Sequence, residues 1–301
     1  MLTPGGTAEQ DSEQDGRRIA LVVEYDGTNY SGFQFQLGQP TIQGEIEKSV
    51  AKFTGESLRI RGASRTDSGA HATGQVVDLL THSTQPVEKF PTALNYYLPE
   101  DIQVQAAREM PLDFNSRKSA TSRTYYYRIL NRPRRSPLRR QSHFGVREEL
   151  QIDRMSRAAM ALVGSHDFRV LSAGFPADRS AVRDVYRWEV RREGDSIVIE
   201  SEANGFLRHQ IRKANALLIQ VGKGACPESI ISDVLYGGQP DGTGYPPLPA
   251  CGLCLMEVKY PAFSSRNGGF EEHPSYRLVA GLSSQTQPNE AKANRPRVPR
   301  Q

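Results

Sequence analysis

The 301-residue chain reads as a mixed α/β (α+β) protein, with strands and helices interleaved in both halves. Three observations predict this. Several short runs alternate apolar and polar residues with the two-residue period of a strand. Others place apolar residues three and four apart, as a helix does. Gly, Asn, Asp and Pro punctuate the joins between them. Hydrophobic residues make up 37% of the chain and charged residues 24%, enough for a core once polar tails are set aside.

The elements follow in order. Residues 1–17 are polar and acidic and read as a disordered tail. Residues 18–25 put Ile19, Leu21, Val23 and Tyr25 on one face of a strand, and Asp26-Gly27 is the turn after it. Residues 41–53 carry Ile42, Ile46, Val50 and Phe53 at helical spacing, with Gly55 just beyond. Strands at 58–61 and 75–80, a helix at 87–97 and a strand at 102–108 complete the first half. The second half has a tyrosine-rich strand at 123–130, a helix at 153–163 and strands at 185–191 and 197–202. Helices at 206–221 and 227–235 and a closing strand at 253–260 follow. Residues 263–301 are rich in Ser, Gln, Asn, Pro and Arg. Their scattered Phe263, Phe270, Tyr276, Leu278 and Leu282 predict a poorly ordered extension that adds no core. The chain thus divides into a tail (1–17), two halves (18–115 and 116–262) and a second tail (263–301).

Net charge is +4 and the sequence pI is about 8.9. Residues 117–147 hold ten Arg or Lys and no Asp or Glu, a one-sign stretch suited to phosphate contact. Three cysteines, Cys226, Cys251 and Cys254, are too few and odd in number for a secreted disulfide framework. No run is long and apolar enough to span a bilayer, and the N-terminus has no apolar signal-peptide core. The expected compartment is the cytoplasm. No zinc-type or phosphate-loop pattern occurs, so neither metal nor cofactor is expected. Cys251-Gly-Leu-Cys254 has the spacing of a thiol redox pair, but strand alternation follows it where such sites open a helix, so packing is the better reading.

Four runs carry the functional signal. The first is 61–75, Arg-Gly-Ala-Ser-Arg-Thr-Asp-Ser-Gly-Ala-His-Ala-Thr-Gly-Gln. It sets one carboxylate, Asp67, beside a cation, Arg65, among small residues in a loop between two strands. Small residues let a flat ligand approach the backbone. An isolated Arg–Asp pair in a turn is ordinarily a weak surface ion pair, so the information lies in the whole run. The second is 122–128, Ser-Arg-Thr-Tyr-Tyr-Tyr-Arg. Strand alternation puts Tyr125 and Tyr127 on one face and Tyr126 on the other. The third is 203–212, Ala-Asn-Gly-Phe-Leu-Arg-His-Gln-Ile-Arg, in which Arg208 and Arg212, four apart, share a face if both are helical. The fourth is 24–34, Glu-Tyr-Asp-Gly-Thr-Asn-Tyr-Ser-Gly-Phe-Gln.

Together these runs resemble, in order and from residue 18 to 261, the motifs of the TruA family of tRNA pseudouridine synthases. The resemblance implies a pseudouridine synthase fold, with two related halves around one antiparallel sheet flanked by helices and the active site in the cleft between them. It implies that Asp67 is the catalytic carboxylate, attacking either the ribose C1′ or C6 of the uracil. Arg212 would pair with Asp67, and Arg208 would join it or touch phosphate. Arg65 would push the uridine out of its helix and hold the space, with orienting Asp67 from outside as the competing role. Tyr125, which follows Ala120-Thr121-Ser122-Arg123-Thr124, would lie beneath the extruded base, a stacking contact of about 1–3 kcal/mol. Its hydroxyl is a candidate acceptor for the C5 proton. Leu253 would pack against the base, and Gln34 stands in a loop on the RNA side. The implied substrate is uridine at positions 38–40 of the tRNA anticodon stem-loop, and the implied assembly is a homodimer. Organelle relatives that share parts of Phe206-Leu-x-x-Gln210-Ile-Arg212 act on other uridines. A noncatalytic RNA-binding protein would leave an acid group among cations without a purpose. The chain departs from the family at Gln210 and at Lys213-Ala214-Asn215-Ala216, on the helix that supports the site.

Overall fold

The computed structural model describes residues 16–237 and 246–272. The first half comprises β1 (Arg17–Tyr25), α1 (Ile42–Thr54), β2 (Arg61–Gly62), β3 (His71–Thr81), α2 (Lys89–Tyr97) and β4 (Ile102–Met110). The second half begins with β5 (Ser122–Asn131), β6 (Phe144–Val146), α3 (Ile152–Ala159), β7 (Gly164–Asp167), β8 (Val182–Glu193) and β9 (Ser196–Ala203). It continues through α4 (Gln210–Gly222), α5 (Ile230–Tyr236), β10 (Leu253–Lys259), β11 (Phe263–Ser264) and β12 (Glu271–Glu272).

All the strands join one sheet, whose main path runs β4-β1-β3-β10-β5-β9-β8-β7. The expected antiparallel pairing holds along most of it. It fails at β5–β6 and, more consequentially, at β3–β10, which run parallel with Cys254 opposite His71 and Leu255 opposite Ala72. That pair is the seam between the halves. Strand β10 comes from the end of the described chain and fills the gap between β3 and β5, antiparallel to the latter. Gly74 makes the seam possible: a Cβ there would stand 2.4 Å from the Met256 carbonyl oxygen.

Local chemistry accounts for the helices. Thr41 caps α1 by accepting the Gly44 N–H at 3.2 Å, and Gly55 ends it in the left-handed conformation (φ 78°). Ile42, Ile46 and Val50 are buried, as their spacing requires. In the second half, the face of the sheet bearing Tyr125, Tyr127, Ile199 and Trp188 is apolar. Helix α4 meets it through Asn215, which accepts the Trp188 indole N–H at 3.2 Å. The opposite face is polar. There Arg187 bridges Glu200 and Glu202, Lys259 also reaches Glu202, and the Arg191 guanidinium lies 4.9 Å from the Tyr126 ring centre.

Several boundaries differ from the sequence reading. The strand expected at 58–61 shrinks to β2, and the strand expected from 75 begins at His71, because Ala, Thr and Gly hide the alternation. The helix expected from 206 starts at Gln210. The second tail does contribute to the core at its start. Phe263 is buried, stacks on Tyr260 (centroids 4.6 Å apart) and meets Phe114 and Phe270. Tyr276, Leu278 and Leu282 lie outside the described residues, as does most of the first tail. Among the described residues no helix is long and apolar enough to cross a membrane.

Candidate active site

The loop between β2 and β3 carries Asp67, and the surrounding chain clamps it from three sides. The Phe33 N–H donates to the Thr66 carbonyl at 3.1 Å, and the Thr66 hydroxyl pairs with Tyr25 Oη at 2.8 Å. Ser68 Oγ donates to the Tyr30 carbonyl at 3.0 Å. Gln75 brackets Ser64, its Nε2 donating to the carbonyl (2.6 Å) and its Oε1 accepting from the N–H (3.2 Å). Gly27 lies so close that a Cβ there would be 1.9 Å from the Ala70 carbonyl oxygen. The Asp-Gly turn of the opening strand is therefore part of the site's scaffold.

Arg212, in the first turn of α4, reaches this loop. Its Nη1 donates to Asp67 Oδ2 at 2.8 Å, and its Nε donates to the Leu248 carbonyl at 2.5 Å. The side chains are 13% exposed for Arg212 and 22% for Asp67, a pair largely withdrawn from water. Asp67 Oδ1 has no hydrogen-bond partner among the described residues. A guanidinium suits this position because it stays charged and offers donors in a fixed plane.

Tyr125, in β5, is buried beneath the loop. Its hydroxyl pairs with Ser64 Oγ at 2.7 Å, and its ring meets Phe206 edge-on at 5.6 Å. Burial, opposed by the Ser64 hydrogen bond, pushes the phenol up to about 12, so it is neutral at physiological pH. Leu253 opens β10 opposite Tyr127, on the same sheet face, and is buried.

The remaining sequence candidates stand apart. Arg65 and Arg208 are exposed, and neither guanidinium has a hydrogen-bond or ion-pair partner among the described residues. Arg208 does not share a helix face with Arg212, because α4 begins two residues after it and His209 between them is left-handed (φ 64°). Gln34 is exposed and donates to Gln43 Oε1 at 2.8 Å, away from the acid group.

Two residues of the site were missed. Arg123 is 7% exposed and donates to four carbonyls, of Ala63, Arg117, Ala120 and Asn204, tying the Asp67 loop to the segment before α4. Desolvation lowers its pKa, which the four acceptors must offset. His209 brings Nε2 to 3.9 Å from Asp67 Oδ2. The sequence carried no signal for this, because the helix expected from 206 placed His209 inside it. The departures on α4 have structural roles. Gln210 Oε1 accepts the Leu207 N–H at 2.8 Å, Lys213 donates to the Ser172 carbonyl at 2.8 Å, and Asn215 holds Trp188. Burial raises the thiols of Cys251 and Cys254, which suits packing rather than redox chemistry.

The sheet thus closes at a parallel seam, with an arginine-held acid in the loop that leads into it. Comparison with known proteins makes the class definite. A family model described as tRNA pseudouridine synthase matches residues 21–117 and 158–261, and the chain belongs to that family of isomerases, with the pseudouridine synthase fold. It is 40% identical over 244 residues to tRNA pseudouridine synthase A of Geotalea daltonii, an alignment covering 81% of this chain and 100% of the relative. The corresponding protein of Geotalea uraniireducens is 41% identical with the same coverage. That of Ruminiclostridium cellulolyticum is 41% identical over 245 residues, again 81% of this chain and 100% of the relative.

Proposed function

We propose that this protein converts uridine to pseudouridine at positions 38–40 of the tRNA anticodon stem-loop, with Asp67 as the nucleophile. The observation that carries the reading is the 2.8 Å grip of Arg212 on Asp67 Oδ2, with Oδ1 unpartnered among the described residues. Oδ1 then attacks the target nucleoside, at C1′ or C6. The uracil separates from the sugar, turns, and rejoins C1′ through C5, and the bond to Oδ1 breaks with its electron pair returning to the carboxylate. The net change is one carbon–nitrogen bond exchanged for one carbon–carbon bond and one proton moved from C5 to N1. The reaction needs no oxidant or reductant.

The exposed guanidiniums of Arg65 and Arg208 have no partner among the described residues to give up before meeting RNA, and the basic 117–147 segment supplies phosphate contacts. Arg65 fills the space left by the flipped uridine. Leu253 and Tyr125 form the apolar floor, and Gln34 contacts RNA from the opening loop. The acting unit is a homodimer in the cytoplasm, as the family resemblance implies.

The test is to map pseudouridine in tRNA after incubation with wild type and with Asp67→Ala. Product at positions 38–40 with wild type, none with the variant, and tRNA binding retained is the expected result. Product at other positions refutes the site assignment, and product from Asp67→Ala refutes the nucleophile.

A further inference from the structure

The isomerisation requires a base, because the proton on C5 must leave once C5 has joined C1′. Resting on the reading of Asp67 as nucleophile, the choice of that base can be argued from the cleft. Tyr125 is poorly suited. Its hydroxyl is buried, neutral and already paired with Ser64 Oγ at 2.7 Å. With the phenol pushed up to about 12, its ionised fraction at pH 7 is on the order of 10⁻⁵. On the C1′ route the Asp67 C–O bond breaks as C5 joins C1′, its electron pair returning to the carboxylate, and the released acid stays held by the Arg212 guanidinium through Oδ2.

A third group faces the same oxygen. His209 places Nε2 3.9 Å from Asp67 Oδ2, with its side chain 20% exposed. Neither ring nitrogen has a hydrogen-bond partner among the described residues. Its backbone is left-handed, one of two such non-glycine residues described, and the turn is fixed by the Gln210 side chain on the Leu207 N–H. The charged groups around it are Asp67, Arg212, Arg208 and Lys213. Burial and the three cations favour the neutral ring, against the pull of Asp67, and the net shift is downward. An uncharged imidazole with a free lone pair is a competent proton acceptor near neutral pH.

We propose that His209 is the base that removes the C5 proton. With C1′ bonded to C5, the ring carries an N1=C6 double bond. The C5–H bond breaks, its electron pair forms C5=C6, and the N1=C6 pair withdraws onto N1. The proton passes to His209 Nε2, and N1 takes a proton from the imidazolium or from water. The histidine returns to its neutral form with no net proton gained or lost.

The test compares two tRNA substrates. One carries uridine labelled with tritium or deuterium at C5 of the target. The other carries 5-fluorouridine there, which has no C5 proton to lose. The variant is His209→Asn, since asparagine tolerates the left-handed backbone, with His209→Gln as a second. Tritium release is expected to slow by about 10²-fold or more in the variants, and a deuterium isotope effect at C5 to emerge. Consumption of the fluorinated nucleotide should stay near the wild-type rate. Equal slowing on both substrates would mean that His209 positions Asp67 or supports the fold, and would overturn the proposal. Unchanged tritium release would overturn it as well. Failure of the Asp67 reading looks different: Asp67→Ala would still consume the fluorinated nucleotide.

Discussion

Replacing Arg212 with methionine tests the grip on Asp67 most directly. The arginine donates two hydrogen bonds, 2.8 Å to Asp67 Oδ2 and 2.5 Å to the Leu248 carbonyl. Bonds involving a charged group contribute about 1.5–3 kcal/mol each, and the residual exposure of both side chains lowers the ion pair's share. Arg212→Met should therefore lose about 2–4 kcal/mol of unfolding free energy, read from urea denaturation. Loss of one fixed electrostatic partner of a reacting group costs about 10²–10³ in rate, read from single-turnover pseudouridine formation. Arg212→Lys keeps the charge, but one ammonium cannot hold both acceptors in the same plane, so it should fall between wild type and methionine. Adding Asp67→Asn to Arg212→Met removes the stranded anion. Stability should recover by about 1–2 kcal/mol while activity stays absent. If Arg212→Met keeps product formation within about threefold of wild type, the grip is not what arms the acid. If the double variant is no more stable than the single one, the two side chains are not coupled.

Three further outcomes follow from the same geometry. Arg123→Met strands four carbonyls around a buried position and should destabilise the fold by about 3–5 kcal/mol, with Arg123→Lys recovering less than half; chemical denaturation checks both. Gly27→Ala pushes a methyl against the Ala70 carbonyl, so the loop bearing Asp67 must move. The single-turnover rate should fall while tRNA affinity, measured by filter binding, changes little. The His209 pKa lies below its ordinary 6.5, so the rate should fall as pH drops through that lowered value, and this acid limb should disappear in His209→Asn. Stability shifts in the same direction. The unfolded imidazole takes up its proton near 6.5 while the folded one resists, so stability declines as pH falls below 6.5 and levels off below the folded pKa.

Much of the fold was legible because burial follows period. Ile19, Leu21 and Val23 in β1 and Ile42, Ile46 and Val50 in α1 are buried as their spacing requires. What escaped was set by tertiary contact. The first turns of β3 read as loop because Ala72, Thr73 and Gly74 have no bulk to alternate, yet their smallness is what lets β10 lie alongside. Asp78, in a run that reads as an ordinary strand, is fully buried and ion-paired with Arg18 and Arg61, a cost no local pattern reveals. The start of α4 was misplaced because apolar Phe206 and Leu207 extend the helical period backwards, while the chain makes a left-handed turn at His209. That error paired Arg208 with Arg212 and hid the histidine. Asp67, Tyr125 and Arg212 were recognisable only as members of long runs. Their proximity depends on a sheet order that sequence spacing does not specify.

The site's dependence on that sheet order has a physical consequence. Asp67 belongs to the first half, Tyr125 and Arg212 to the second, and the Leu248 carbonyl that steadies Arg212 to the segment leading into β10. Asp67 meets the other groups across the seam that β10 closes between β3 and β5. The long-range closure is slow to form and orders the two halves relative to each other. It also brings the acid and its guanidinium together at the same step. Before closure each is a solvated surface charge with nothing to gain from the other beyond a screened attraction. After closure they are a half-buried pair in a clamped loop. The paired carboxylate is therefore a property of the completed sheet, and weakening the seam at Gly74 should disturb the Asp67–Arg212 pair even though neither residue is changed.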